Sequence, residues 1–163
     1  MSEKAAITQT LDSSTQILGS YINDLDDDAL RLRPMDGINP IAWQLGHLLS
    51  FEHAMVEGIK PGSSPALPEG FDDNHSTDAA KAKRDQGFCS LAEYQRLMQA
   101  QRTATKAVLD ALTEDELRAP APERFRSFTA TVSDGLNMIG IHNLMHAGQF
   151  VVVRRKLDKP VVI

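Results

Sequence analysis

The sequence predicts an all-α protein built as a bundle of four long helices. Apolar residues recur at helical spacing through four stretches of roughly 20 residues. Capping or breaking residues bound each stretch. No strand-like alternation competes, apart from Val151, Val152 and Val153, which are β-prone residues inside an otherwise helical run. At 163 residues the chain suits one domain with a substantial core, so 1–163 is read as a single unit.

The first helix spans about residues 3–24, with Ile7, Leu11, Leu18, Ile22 and Leu25 on its apolar stripe. Asp26, Asp27 and Asp28 then favour the start of a short turn. Asn39 as N-cap and Pro40 at the first helical position open a second helix, about residues 40–57. Its main stripe is Ile41, Leu45, Leu48 and Met55; Trp43, His47 and Phe51 form a second line, and Gly46 is read as admitting a neighbouring helix. Residues 60–87 are rich in Pro, Gly, Ser and Asp, and a loop of that length is expected to cover a site or lack order, with Leu67 and Phe71 pinning it to the body. Ser90 and Glu93 have capping-box spacing before a third helix that turns Leu91, Tyr94, Leu97, Met98, Ala104, Val108 and Leu112 inward. Thr113 and Glu116 repeat that signal for a short extra turn. Thr131 and Asp134 open the fourth helix, which runs to about residue 157. There Arg154, Arg155, Lys156 and Lys159 are read as cations opposing the helix dipole. The segments LDDDALRLRP and LTEDELRAP follow the first and third helices similarly, which points to two comparable hairpins.

A net charge of -5 and a pI near 5.5 argue against nucleic acid or an anionic membrane as the main partner. With Cys89 as the single cysteine no intramolecular disulfide forms, and the N-terminal segment lacks the apolar core of a secretory signal; a cytoplasmic protein is expected. Residues 135–153 are long enough to span a bilayer, but two His, two Asn and one Gln argue against it.

Those same residues carry the functional signal. The run GLNMIGIHNLMHAGQFVVV holds no Asp, Glu, Lys or Arg and is apolar on every side, so burial all round is expected. His142, Asn143, His146 and Gln149 interrupt it, polar groups that are costly in a core unless bound. His142 and His146, four residues apart, share one helix face and can hold one metal ion. A third ligand must come from elsewhere. His75 lies in a polar loop, and the position of His53 points it towards solvent. His47, between Trp43 and Phe51 on an apolar face, is the one that needs explaining. Neutral imidazole is the usual metal-binding form, and three His with open positions resemble catalytic sites. HNLMH is not a zinc-protease HExxH, because Asn143 stands where that motif has Glu. Gln149, one turn beyond His146, is a candidate to orient a ligand, with Asn143 and Trp43 as further neighbours. Trp43 is read first as packing. Gly140 and Gly148 are read as close-approach positions, and Cys89 as a small buried apolar residue.

NPIAWQLGHLLSFE around His47, LTEDEL after the third helix and HNLMHAGQFVVVRRKL at the end resemble the DinB/YfiT-like superfamily of metal-dependent bundle proteins. Its name refers to a DNA-damage-inducible protein, not to the polymerase that shares it. The resemblance covers most of the chain. It implies an up-down-down-up four-helix bundle, with His47, His142 and His146 as ligands of a divalent transition metal (nickel, zinc, manganese or iron) between the second and fourth helices. It further implies thiol transfer from a low-molecular-weight thiol of the bacillithiol or mycothiol kind to a small-molecule electrophile, and a homodimer. Two other readings stand beside this: hydrolysis by a metal-bound water, and a stress-associated metal-binding module without turnover.

Overall fold

The structure is a computed structural model that describes residues 2–162. In chain order it contains α1 (Glu3–Ile22), α2 (Asp27–Arg31), α3 (Ile41–Ile59) and α4 (Phe71–Asn74). There follow α5 (Thr77–Lys81), α6 (Leu91–Ala111), α7 (Glu114–Arg118), a 3-10 turn at Glu123–Phe125 and α8 (Val132–Lys156). Among the described residues there is no strand, only an isolated bridge between Pro120 and Thr131. No described helix is long and apolar enough to cross a membrane.

Side-chain contacts fix the direction of each long helix. Ser133 bonds Glu3, Asn143 meets Ser14 and Arg154 meets Asp24, so α1 and α8 run parallel. Lys106 pairs with Asp12 and Gln95 with Asn23, which makes α6 antiparallel to α1. Gln44 reaches His146 while Met55 packs on Gly135, so α3 opposes α8. The bundle is therefore up-down-down-up. Its middle pair, α3 and α6, is parallel and needs one long return connection. Residues 60–90 supply it. That segment is not featureless, since α4 and α5 lie within it, and Phe71 and Leu67 pin it to the core as expected.

The core has two apolar halves. One gathers Leu18, Ile41, Leu45, Leu48, Tyr94 and Phe150, and the other Leu11, Met55, Val56, Leu109, Leu117 and Leu136. A buried polar layer lies between them. In it Glu52 accepts hydrogen bonds from Arg102 (3.0 Å) and Thr105 (2.7 Å), and Arg102 also donates to the Leu11 carbonyl.

Several expectations need correction. The fourth helix is not buried on all sides, because every helix of a four-helix bundle keeps an outer face. Ile141, Leu144 and Met145 lie on it, 38%, 39% and 62% exposed. Pro40, not Asn39, is the N-cap of α3; the Asn39 side chain accepts from Arg33, and its carbonyl accepts from Gln44. Ser90 caps α6, but Glu93 turns to Arg96 and leaves the box open. Arg154 is no solvated dipole partner. It is 1% exposed, paired with Asp24, and donates to the carbonyls of Tyr21 and Pro160. Arg154 and Lys159 hold the Asp24 carboxyl at a pKa of about 2. Gly140 is a close-approach position, with Thr10 against it, whereas Gly148 faces open space.

Candidate metal centre

Two helices bring the site residues together. α8 starts from a complete capping box between Thr131 and Asp134 and runs unbroken for 25 residues. It can approach its neighbours because it lacks side chains where Met55 and Thr10 press on Gly135 and Gly140. This presents His142 and His146 to the face of α3 that carries Trp43 and His47.

The three histidines converge. Ring centroids are 5.1 Å apart for His47 and His142, 5.4 Å for His47 and His146, and 4.8 Å for His142 and His146. Each offers a ring nitrogen, and the three nitrogens lie within 4.8 Å of one another, so the cluster could hold one metal ion. Burial, then the neighbouring His142 and His47, pushes the His146 pKa down to about 3. Burial and His47 push His142 down to about 4. His47 is lowered too, by burial, with the adjacent His75 backbone acting the other way. All three rings are thus neutral at pH 7, the form that ligates a metal.

Hydrogen bonding narrows the picture. His146 Nδ1 lies 2.8 Å from Gln44 Oε1, and His146 Nε2 lies 3.1 Å from His142 Nε2. His142 Nδ1 is buried and has no partner among the described residues. An unsatisfied buried nitrogen is unfavourable in an ordinary core. Two Nε2 atoms 3.1 Å apart, with the third neutral imidazole beside them, fit a divalent transition metal, and three protein ligands leave coordination positions open.

Beside His47 opens a cavity of about 320 Å³, lined also by Ser50, Phe51, Asp72, Arg124 and Phe125. Phe51 edges against both His142 and Phe125, at 4.7 and 5.3 Å between centroids. The Arg124 guanidinium lies 5.6 Å from the Phe125 ring centre and forms no ion pair among the described residues. Residues 71–77 wall the other side, so the long return connection covers the site.

Trp43 stacks on His47 at 4.8 Å and 10°, and its indole N–H donates to the Ser76 carbonyl. It therefore fixes the plane of the His47 ring as well as packing. Asn143 turns to α1 and Ser14, away from the imidazoles. The Gln149 side chain is half-buried and has no hydrogen-bond partner among the described residues. His53 is half-buried outside the cluster.

His75 overturns its reading as an ordinary loop residue. It is 1% exposed, with Nδ1 on the Phe71 carbonyl at 2.7 Å and Nε2 on the Tyr94 hydroxyl at 2.8 Å. Its ring fills the space left by Gly46, so that glycine admits an imidazole and not a helix. The residue that sequence reasoning missed at the centre itself is Gln44. It stands three residues before His47, on the same side of α3, and is fully buried. A polar side chain in that register was the available signal.

Neither a curated protein nor a solved structure matches this chain. The family model of the DinB superfamily matches residues 10–150, a span that holds most of the bundle and all three histidines. This chain belongs to the DinB superfamily.

Proposed function

We propose that the protein is a metal-dependent thiol S-transferase acting on small electrophiles, with His47, His142 and His146 holding a divalent ion: nickel, zinc, manganese or iron. The observation that supports it is the convergence of three neutral imidazoles, one of which, His47, lines a cavity large enough for a small molecule. A bound divalent ion supplies Lewis acidity that favours the thiolate of a low-molecular-weight thiol. Trp43 and Gln44 hold two of the ligand rings in place. Phe51 and Phe125 give the electrophile an apolar wall, and Arg124 offers a cation to an anionic end. The thiol proton passes to solvent, sulfur forms the new bond to carbon, and the leaving group departs with the electrons of the bond that breaks.

The chain offers no better sulfur of its own. Burial and the nearby Glu93 raise the Cys89 pKa, which keeps that thiol protonated and a poor nucleophile. The sulfur therefore comes from a cosubstrate.

The test pairs metal analysis with turnover. Protein purified without a His-tag should take up close to one ion per chain, and His146→Ala should take up almost none. A panel of low-molecular-weight thiols with a general electrophile should give a metal-dependent rate that falls to background in His146→Ala. Equal rates in both proteins would remove the transferase reading. Full metal uptake with no turnover for any thiol would leave a binding module.

A further inference from the structure

We infer that Gln44 is a positioning residue that fixes the proton of His146 on Nδ1 and so presents its Nε2 lone pair to the shared centre. The inference deepens the metal-centre reading and rests on it for its functional meaning.

The chain of donors admits one assignment. Gln44 Nε2 lies 2.8 Å from the Asn39 backbone carbonyl, which can only accept, so the amide NH₂ faces Asn39. That leaves Oε1 towards His146 Nδ1 at 2.8 Å, and Oε1 carries no proton to give. His146 must donate, with its single proton on Nδ1. Its Nε2 is then an acceptor, 3.1 Å from His142 Nε2, at the point where the three imidazoles meet. The amide cannot turn over without placing its NH₂ against an imidazole N–H and its oxygen against a carbonyl. Gln44 is fully buried and Asn39 leads directly into α3, so the fold holds the amide still.

The choice of an amide has a chemical consequence. The outer nitrogen of a metal-ligating histidine usually donates to a carboxylate, a backbone carbonyl or water. An amide, like a carbonyl or water and unlike a carboxylate, orients the ring without adding negative charge. It leaves the charge of a bound cation available to a thiolate.

The experiment reads the tautomer directly. In ¹⁵N-labelled, metal-free protein, long-range ¹H–¹⁵N imidazole correlations of wild type should show His146 protonated on Nδ1 and bare on Nε2. In Gln44→Met, close in size and without an acceptor oxygen, that signature should shift towards the Nε2–H form. Zn²⁺ affinity by calorimetry should weaken about tenfold to a hundredfold. Gln44→Glu, held as the carboxylic acid with its hydroxyl donating to the Asn39 carbonyl, restores an acceptor and should recover the Nδ1–H signature. A wild-type His146 protonated on Nε2 overturns the assignment, and so does a Gln44→Met protein with unchanged tautomer and unchanged affinity. Should wild type bind no Zn²⁺, the metal-centre reading falls while the tautomer measurement still decides the role of Gln44.

Discussion

At Gly46 a methyl group would land inside the His75 imidazole, which two hydrogen bonds hold in place. The ring has no room to slide, so Gly46→Ala forces the return connection outward. Overpacking of this kind costs about 1–3 kcal/mol. Gly46→Ala should therefore lower the unfolding free energy measured by denaturant titration by an amount in that range, and it should also weaken metal uptake, because the displaced backbone of His75 lies beside His47. Adding His75→Ala should recover part of the loss, since the double variant removes the clash; additive losses would show that the two positions are not coupled. The legibility of the site follows the same division. His142 and His146 could be read because their relation is local, four residues on one helix. His75 could not, because its partner Tyr94 is 19 residues away and its loop has the composition of a solvated segment. Gln44 was hidden for the same reason, since its value lies in a partner 102 residues distant.

Helix by helix, two of the four caps were legible, while Pro40 took the place read for Asn39 and Glu93 left its box open. Thr113 and Thr131 form the reciprocal boxes that their spacing foretold, and the apolar stripe of α1 is buried as read. The ion pairs were not legible, because an acid and a base 50 residues apart give no local sign of meeting. Glu52 on α3 and Arg102 on α6 are 4% and 6% exposed and tie those helices together, with α1 joined through the Leu11 carbonyl. Burial pushes the Glu52 pKa up, with Arg102 and Thr105 opposing the rise. Removing Arg102 leaves an uncompensated buried carboxylate, a loss of about 3–5 kcal/mol. Arg102→Met should thus unfold at markedly lower denaturant near neutral pH. The pH dependence has a definite sign. A carboxyl raised in the folded state favours that state below its unfolded pKa, and the benefit disappears as pH rises through the folded value. The deficit of Arg102→Met should accordingly shrink as pH falls to 4–5. A deficit independent of pH would mean that lost packing, not charge, is responsible.

For the whole molecule, the up-down-down-up order places His47 on α3 and His142 and His146 on α8, helices distant in sequence and adjacent in space. An ion held by both binds the folded state alone. At a free concentration one hundred times its Kd this adds about 2.7 kcal/mol. For a chain of this size each kcal/mol moves Tm by about 2–4 °C. Saturating Zn²⁺ should raise the Tm of wild type by about 5–10 °C and leave His47→Ala unmoved. An equal rise in both would place the ion elsewhere. The order of the helices also bears on how quickly the loaded protein can come apart. Peeling α8 from the bundle of an ion-loaded protein would have to break the clasp between positions 47 and 146. A loaded molecule should therefore lose its ion and its last helix in one event, at a pace a chelator in solution cannot hasten.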